Sequence, residues 1–592
     1  IKILGFLIME KIAGTQKNDI FPLIIAVFAV LSYGRIWLFR NIMWDDNCWL
    51  LSTYASNNLS DFLNTGWIEL RRETLGTFFY YFFTLHKNTN YFYAIWHSVN
   101  MVTQIATPIF LYLFVTNLFA GKRVLGVFIA ISYVLVPFDY TLPYASTLNY
   151  RIGMMLSIIS FYLTERALSK EHIRWSYLFL TFLISGLSHY IFMEGTIVFE
   201  PARLFLIGYI FHNKGLRSHV LMKRTITLWI PFLLLCIPLV FYKLTFKPYG
   251  IYEGMYKSDQ FFFLNWKLNI KNVAYLLFFQ WFIFAKNIGY ATMLSFLLGL
   301  FSIFFSLWFL NRLRKKMFTS ESLSATGKPK SSIKDSLKEQ WHSVRISVFL
   351  GIILLFFSIA LLNFAGREIA RGMNSSHGSI AQFGYAIIIG ALLYFLYAAF
   401  LPFASKLRIC VLSLAIFMGL GVFFHNLNLD LYFNSWHEQN KFMNAFLKKF
   451  PALPDNAKFM IDASDNAQYY TQLDNYYKLE FLLNLFYASD ADPQKFRRFI
   501  VYTIEEFNLN PAVNKFKNSK SVEFYRDTHL GKDTINSEDF IMIKYKNNEL
   551  LVNREIFNKY PDVPYREWTD KSFPILPQAV RYPFRHKLRL NE

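Results

Sequence analysis

Residues 21–51 of the chain read FPLIIAVFAVLSYGRIWLFRNIMWDDNCWLL. The first part of this stretch, up to Leu38, is apolar and close to the roughly 20 residues that a helix needs to cross a bilayer. Two adjacent carboxylates, Asp45 and Asp46, follow within a few residues and lie between Trp44 and Trp49. Because tryptophan is enriched at the boundary between membrane and water, the stretch predicts a spanning helix that ends where a paired negative charge begins.

The composition extends this pattern to most of the chain. Hydrophobic residues make up 54% of the 592 positions and charged residues only 17%, against about 25% charged residues in an average soluble domain. The sequence therefore predicts an α-helical polytopic membrane protein. Eleven spans are expected, at about 20–39, 93–119, 124–140, 149–167, 175–192, 195–211, 225–244, 291–311, 345–364, 379–401 and 406–425.

The distribution of Lys and Arg predicts the orientation. Basic connections fall on one side of this arrangement, at 120–124, 169–174, 212–224, 311–345 and 405–408. Short loops rich in Lys and Arg mark the cytoplasmic side. The N-terminus is thus expected in the cytoplasm, the C-terminus outside, and the chain in the inner (cytoplasmic) membrane of a cell.

The formal net charge of +21 has its explanation in these loops. Residues 426–592 carry 23 Lys and Arg against 22 Asp and Glu, so the excess lies in residues 1–425. A basic balance can indicate nucleic-acid binding, but here topology explains it, and no nucleic-acid partner is expected. Membrane lipids are the expected surroundings.

Two domains are predicted. Residues 1–425 form the membrane domain, with a long first outer loop (41–92) and a cytoplasmic loop (312–344) that is Ser- and Lys-rich at its centre. Residues 426–592 form an extracytoplasmic α/β domain, because short strand-like runs occur at 458–462, 522–525 and 540–545. In the same domain, Phe442, Phe446 and Phe450 share one helix face. The interrupted apolar stretch 260–288 predicts an amphipathic helix in the outer membrane interface.

Ionisable residues recur at the outer ends of the spans. The local interpretation of Asp45 and Asp46 is an N-cap for the helical stretch that follows, since carboxylates favour a helix N-terminus. Taken singly, the other charges are expected to be solvated or to snorkel. Because they belong to five outer connections at one height, they also form a candidate binding site, composed of Arg71, Arg72, Asp139, Arg151, Glu253, Arg367, Arg371 and His377.

Trp44-Asp45-Asp46 at the start of a long outer loop, with eleven spans and an outer C-terminal domain, resembles the GT-C class of membrane glycosyltransferases. The "WWDYG" motif of the oligosaccharyltransferase subgroup is absent from the sequence. The resemblance implies a sugar donor linked to a polyprenyl phosphate and a glycan, lipid or protein acceptor. It also implies that Asp45 or Asp46 is the catalytic base, and it leaves the use of a divalent metal, Mg²⁺ or Mn²⁺, open.

The chemistry of such a donor suits the residue types present. Arg binds two phosphate oxygens at once through its planar fork, which makes Arg367 and Arg371 the first candidates for the phosphate and Arg151 the next. A positioned base contributes roughly 100- to 10,000-fold in rate. No group of Cys and His with zinc-type spacing is present in the sequence.

A second group of ionisable residues occurs at 186–203, within or at the ends of apolar segments. It consists of His189, Glu194, Glu200 and Arg203. Ionisable residues within a span are functional candidates, but Glu200 and Arg203 are one helical turn apart and can simply pair. Pro201 is expected to kink the helix there.

Three other functions remain open from the sequence. A polymerase or ligase of undecaprenyl-diphosphate glycans would depend on outer arginines more than on Asp45 and Asp46. A non-catalytic subunit of a membrane assembly would use every outer charge as surface. A transporter would show repeat symmetry and broken helices at mid-membrane, and neither is evident in the sequence.

Overall fold

A computed structural model describes most of the membrane part of the chain and the strands of its C-terminal part. The described residues are 19–40, 45–63, 73–89, 91–119, 121–137, 141–245, 266–275, 281, 286–322, 333–364, 378–450, 457–463, 479–480, 482–484, 499–503, 521–525, 532–536 and 540–551.

Helices dominate the membrane part. Its α-helices are α1 (Phe21–Tyr33), α2 (Asp45–Ala55), α3 (Leu59–Leu63), α4 (Glu73–Asn88), α5 (Phe92–Leu118), α6 (Arg123–Leu135), α7 (Leu148–Leu168), α8 (Trp175–Leu187), α9 (Phe199–Asn213), α10 (Ser218–Thr245), α11 (Trp266–Ala274), α12 (Met293–Ser322), α13 (Ile333–Phe364), α14 (Ser379–Phe400) and α15 (Ala404–Lys449). Short 3₁₀ and π turns extend several of them, at Gly34–Leu38, Ala145–Thr147, Ser188–Phe192, Glu194–Val198 and Ile288–Tyr290.

Eight stretches of the described chain are long and apolar enough to cross a membrane. They are Phe21–Leu38, Phe92–Leu118, Trp175–Phe192, Ser218–Phe241, Met293–Lys315, Gln340–Asn363, Ser379–Phe400 and Ala404–Lys449. The chain is therefore a helical membrane protein, as the composition predicted. The three remaining predicted spans coincide with α6, α7 and α9, which do not meet this measure. α6 and α9 are short, and α7 carries Arg151, Glu165 and Arg166.

Glycines allow some of these helices to pack backbone against backbone. In α14, a Cβ on Gly390 would lie 2.4 Å from the Cα of Ile129 in α6, and one on Gly384 would lie 2.7 Å from the carbonyl oxygen of Gly351 in α13. Small residues at helix contacts permit this approach, which favours association where lipid supplies no hydrophobic driving force.

Helix α15 links the membrane part to the C-terminal part without interruption. Its 46 residues span about 69 Å at roughly 1.5 Å per residue, more than twice the ~30 Å hydrocarbon core of a bilayer. The predicted boundary at residue 426 lies in the middle of this helix, because residues 422–449 contain neither Gly nor Pro. Phe442 and Phe446 at its end contact Tyr545 and Phe459, with ring centroids 5.2 and 5.4 Å apart.

The strands of the C-terminal part form two sheets. They are β1 (Ala457–Asp462), β2 (Phe499–Thr503), β3 (Ser521–Tyr525), β4 (Lys532–Asn536), β5 (Phe540–Lys546) and β6 (Glu549–Leu551). β1 pairs in parallel with both β2 and β5, and β6 closes that sheet as an antiparallel edge. β3 and β4 form a separate hairpin. The predicted strands at 458–462, 522–525 and 540–545 are confirmed as β1, β3 and β5.

Two predicted loops contain more helix than expected. Within the predicted cytoplasmic loop, α12 continues to Ser322 and α13 begins at Ile333, because Lys, Gln, Glu and Leu are good helix formers. The first outer loop contains α2, α3 and α4, held together by Trp49, Phe62 and Phe79. Of the stretch 260–288, the helix α11 is described, with Lys267 and Lys271 exposed and Asn272 buried.

Candidate functional site

Asp46, the second residue of α2, is fully buried and binds the start of another helix. Its Oδ2 accepts the backbone N–H of Ala145 at 2.7 Å and its Oδ1 that of Ser146 at 2.6 Å. These two N–H groups begin the 3₁₀ turn that continues directly into α7. The first N–H groups of a helix have no partner inside it, and a negative charge is favoured there. Asp46 therefore caps a helix about 100 residues away in the chain and not the helix in which it lies. Its own helix, α2, begins at Asp45.

Arg151 secures the same turn from within α7. Its Nη2 donates to the carbonyl oxygen of Thr141 at 2.7 Å, and its Nη1 donates to the hydroxyl of Thr147 at 3.1 Å. The Thr147 hydroxyl in turn donates to the carbonyls of Thr141 and Tyr144. Residues 141–147 thus connect the carboxylate of Asp46 with the guanidinium of Arg151 through one short piece of backbone.

Helix α5 contributes two polar side chains that the sequence analysis did not identify. The Nε2 of His97 lies 2.6 Å from the carbonyl oxygen of Phe39, and the Nδ2 of Asn100 donates to the carbonyl oxygen of Leu142 at 3.3 Å. Both side chains are fully buried. Arg40 and Arg151 lie near enough to His97 to interact with its ring electrostatically. We use the name rim cluster for Asp46, His97, Asn100, Arg151 and residues 141–147.

Aromatic rings cover the rim cluster on the side of α15. Tyr432 packs edge-on against both Phe39 and Tyr144, with centroids 6.3 and 5.4 Å apart, and Trp436 lies 5.7 Å from Phe39. A charge-assisted network lies near these rings. Asp430 of α15 accepts hydrogen bonds from Arg35 at 2.6 Å and from the backbone of Thr292, just before α12, at 2.8 Å. Two buried carboxylates therefore bind the starts of distant helices at this end of the bundle.

A second buried polar group lies elsewhere in the bundle, between α7, α8 and α9. Arg203 donates from Nε to Glu200 at 2.7 Å, and Glu200 also accepts from His189 at 3.1 Å. We use the name interior cluster for these three residues and their hydroxyl partners Ser160, Thr164, Ser185 and Thr196. The predicted pairing of Glu200 with Arg203 is confirmed. The predicted kink is wrong, because Pro201 lies in the first turn of α9, where a missing N–H removes no helical bond.

The structure brings together only some of the predicted site residues. Asp46 and Arg151 share the rim cluster. Asp45 is the first residue of α2, but its side chain lies outside what the structure describes. The remaining predicted residues also lie outside the described residues: Arg71, Arg72, Asp139, Glu253, Arg367, Arg371 and His377.

His97 and Asn100 carried a weak signal in the sequence. They are polar residues three apart near the start of a span, which places them on one helix face. Among the described residues, no group of three His, Cys, Asp or Glu side chains is arranged to hold a metal ion.

No protein-family model matches the chain, and none of the curated proteins is similar to it.

Proposed function

We propose that the protein is a glycosyltransferase of the GT-C type, with eleven membrane crossings, that transfers a sugar from a polyprenyl phosphate to an acceptor outside the cytoplasmic membrane. The observation that carries the proposal is the buried Asp46 carboxylate, which fixes the first outer loop onto the turn that Arg151 also holds from within α7. An acidic residue of this loop, held beside a buried guanidinium at the membrane edge, is what such a reaction requires.

The placement of the rim cluster outside the cell rests on the basic loops. The chain runs from the rim cluster down α5 to Lys122 and Arg123, and down α7 to the loop at 169–174. Lys214 at the end of α9 donates to the carbonyl of Lys170, so two basic loops share one end of the bundle. The positive-inside rule assigns that end to the cytoplasm and the opposite end, with Asp46, to the outside.

Asp45 and Asp46 have different roles in this proposal. Both oxygens of Asp46 accept backbone N–H groups, so this carboxylate is engaged in holding the turn at Ala145–Thr147. Asp46 is therefore a positioning residue. Asp45, its neighbour at the start of α2, takes the role of general base.

The reaction follows from these roles. The base accepts the proton of the acceptor hydroxyl, and the hydroxyl oxygen forms a bond to the anomeric carbon. The bond from that carbon to the phosphate oxygen breaks, and the polyprenyl phosphate leaves with its electron pair. Arginine stabilises the phosphate because its guanidinium offers paired N–H donors, and a single displacement inverts the anomeric carbon.

One observation favours a second candidate, a non-catalytic subunit of a membrane assembly. The Asp46 carboxylate acts on backbone groups, as a purely structural residue would. In that case the rim cluster serves only to hold the first outer loop on the bundle, and replacement of Asp45 would leave the properties of the protein unchanged.

The test uses the full chain in nanodiscs with radiolabelled undecaprenyl-phosphate glucose, galactose and mannose as donors and a cell-envelope extract as acceptor. Asp45→Asn should lower transfer at least about 100-fold at an unchanged Tm, and Asp46→Asn should lower both transfer and Tm. The control is Asp61→Asn, an exposed carboxylate of the same loop, which should change neither. Full transfer by Asp45→Asn, or no transfer by the wild type from any donor, would overturn the proposal.

A further inference from the structure

Two buried hydrogen-bond acceptors on one face of α5 have no partner among the described residues, in addition to the buried donor Nε1 of Trp96 on the same helix. The two acceptors are the Nδ1 of His97 and the Oδ1 of Asn100. The side chains are three residues apart, so they are neighbours on the helix surface, about 5–6 Å apart at their Cβ atoms. Both side chains are fully buried, which means that bulk water does not solvate either atom.

The hydrogen bonds that these side chains do form show whether each unpaired atom is a donor or an acceptor. The Nε2 of His97 lies 2.6 Å from the carbonyl oxygen of Phe39, and a carbonyl can only accept, so Nε2 carries the proton. A charged ring without a carboxylate partner would be costly at a buried position. The ring is therefore neutral, and its Nδ1 presents a lone pair.

The same reasoning applies to Asn100. Its Nδ2 donates to the carbonyl oxygen of Leu142, which fixes the amide orientation and leaves Oδ1 as an acceptor. Both unused atoms are therefore acceptors. A phosphate dianion carries no proton to donate to them, whereas a hydroxyl group does.

The position of these acceptors connects them to the rim cluster. Leu142, the partner of Asn100, belongs to the segment 141–147 that Asp46 and Arg151 hold. In that segment the hydroxyl of Ser146 is also buried and without a partner among the described residues, although its backbone N–H binds Asp46.

An unmet buried acceptor destabilises the fold, and most buried polar atoms in proteins are paired with protein or water. Two such atoms on one helix face, with a third polar atom on the neighbouring turn, point to a group that binds there. Several hydroxyls on one rigid ring are the signature of a sugar.

We propose that His97 and Asn100 bind sugar hydroxyls, with the Nδ1 of His97 and the Oδ1 of Asn100 each accepting a hydrogen bond from one O–H. This inference rests on the proposed function and names the residues that contact the hydroxyl groups of the sugar. The sugar belongs either to the lipid-linked donor or to the acceptor, since both present hydroxyl groups.

The experiment measures binding to the full chain in nanodiscs, with two variants of opposite design. His97→Gln can still donate to the Phe39 carbonyl but provides no acceptor at the Nδ1 position. His97→Asn places an oxygen at that position and loses the bond to Phe39. The probes are the same lipid-linked donors as in the transfer test, undecaprenyl-phosphate glucose, galactose and mannose, with monodeoxy analogues of the one that binds. The corresponding methyl glycosides serve as mimics of an acceptor sugar.

His97→Gln should weaken the binding of one kind of probe about tenfold, the loss expected for one hydrogen bond, whereas His97→Asn should stay within about threefold of the wild type. One monodeoxy analogue should bind wild type and His97→Gln equally, because the lost hydroxyl is the partner of Nδ1. If binding of the lipid-linked probe is weakened, the sugar is that of the donor. If binding of the free glycoside is weakened, the sugar is that of the acceptor.

The opposite order of the two variants, with His97→Gln intact and His97→Asn weakened, would show a purely structural histidine and overturn the inference. Equal binding by both variants and the wild type would also overturn it, because an ordered water would then occupy the two acceptors. If the wild type binds neither kind of probe, the proposed function and this inference fail together.

Discussion

The rim cluster and the interior cluster both bury charged side chains, but they differ in how completely their polar atoms are hydrogen-bonded. In the interior cluster, Arg203 donates to Glu200 and to three side-chain hydroxyls, and His189 closes the network through Thr196 and Glu200. In the rim cluster, His97 and Asn100 each keep an acceptor without a partner among the described residues.

This difference separates a structural network from a candidate site. A buried polar group that is fully hydrogen-bonded stabilises one arrangement of helices, whereas an unmet group lowers stability and persists where something else binds it. The interior cluster therefore locks α7, α8 and α9 together. The rim cluster combines a structural half, formed by Asp46 and Arg151, with buried acceptors on His97 and Asn100 that the described residues leave unpaired.

The strongest test of this comparison removes one charge from the interior cluster. Arg203→Met leaves Glu200 buried without its cation, which typically costs about 3–5 kcal/mol, so we expect a large fall in Tm and in yield. The double variant Arg203→Met with Glu200→Leu removes both charges and should regain much of the loss. Thermal unfolding in nanodiscs measures both, and a single variant as stable as the wild type would contradict the structural assignment.

Asp46→Asn should have the next largest effect. Asparagine offers one acceptor oxygen to the two N–H groups of Ala145 and Ser146, and the loss of a hydrogen bond to a charged group costs about 1.5–3 kcal/mol. The exposed Asp61→Asn should stay within about 0.5 kcal/mol of the wild type. Equal Tm values for the two variants would show that the carboxylate of Asp46 does not hold the turn.

The membrane helices could be predicted from sequence because hydropathy is a local property. Each predicted span coincides with a described helix, and three of the strands lie where alternation placed them. Length and apolarity support eight of those spans. The segments α6, α7 and α9 are largely buried in the bundle, where polar side chains such as Arg203 find protein partners in place of lipid.

The parallel pairing of β1 with β2 and β5, and the length of α15, were not predictable in the same way. Strand pairing is a relation between residues about 40 to 80 apart in the chain. Hydropathy placed the end of α15 at residue 425, but residues 422–449 contain neither Gly nor Pro and the helix continues to Lys449.

The candidate site was predictable only in its charged residues. The pattern around Asp45 and Asp46 indicated a functional position, but the partners of Asp46 lie 99 and 100 residues away and depend on the fold. The sequence showed that Glu200 and Arg203 can pair through their spacing. It did not distinguish them from His97 and Asn100, because only an account of hydrogen-bond partners separates a satisfied side chain from an unmet one.

A substitution that changes only helix packing tests whether a loss of stability by itself weakens ligand binding at the rim cluster. Gly390→Ala places a methyl group 2.4 Å from the backbone of Ile129, and overpacking of this kind costs about 1–3 kcal/mol. Gly186→Ala is the matched control, since its nearest neighbour is 4.0 Å away. We expect a lower Tm for Gly390→Ala only, with binding of undecaprenyl-phosphate glucose unchanged below that Tm. Weakened binding would mean that the site responds to general loosening of the bundle.

The smallest expected effects come from the same substitution made once in each cluster. The Ser160 hydroxyl lies 2.5 Å from Nη2 of Arg203 and 2.8 Å from the hydroxyl of Ser185, so Ser160→Ala removes two buried hydrogen bonds, one of them to a charged group, at a cost of about 1–3 kcal/mol. The Ser146 hydroxyl is buried and has no partner among the described residues, so Ser146→Ala removes an unmet polar group and should leave stability unchanged or raise it, by at most about 1–3 kcal/mol. Thermal unfolding of both variants without ligand measures the contrast directly. A larger loss at Ser146 than at Ser160 would mean that pairing does not distinguish the two clusters, and the assignment of the rim as a binding site would lose its physical basis.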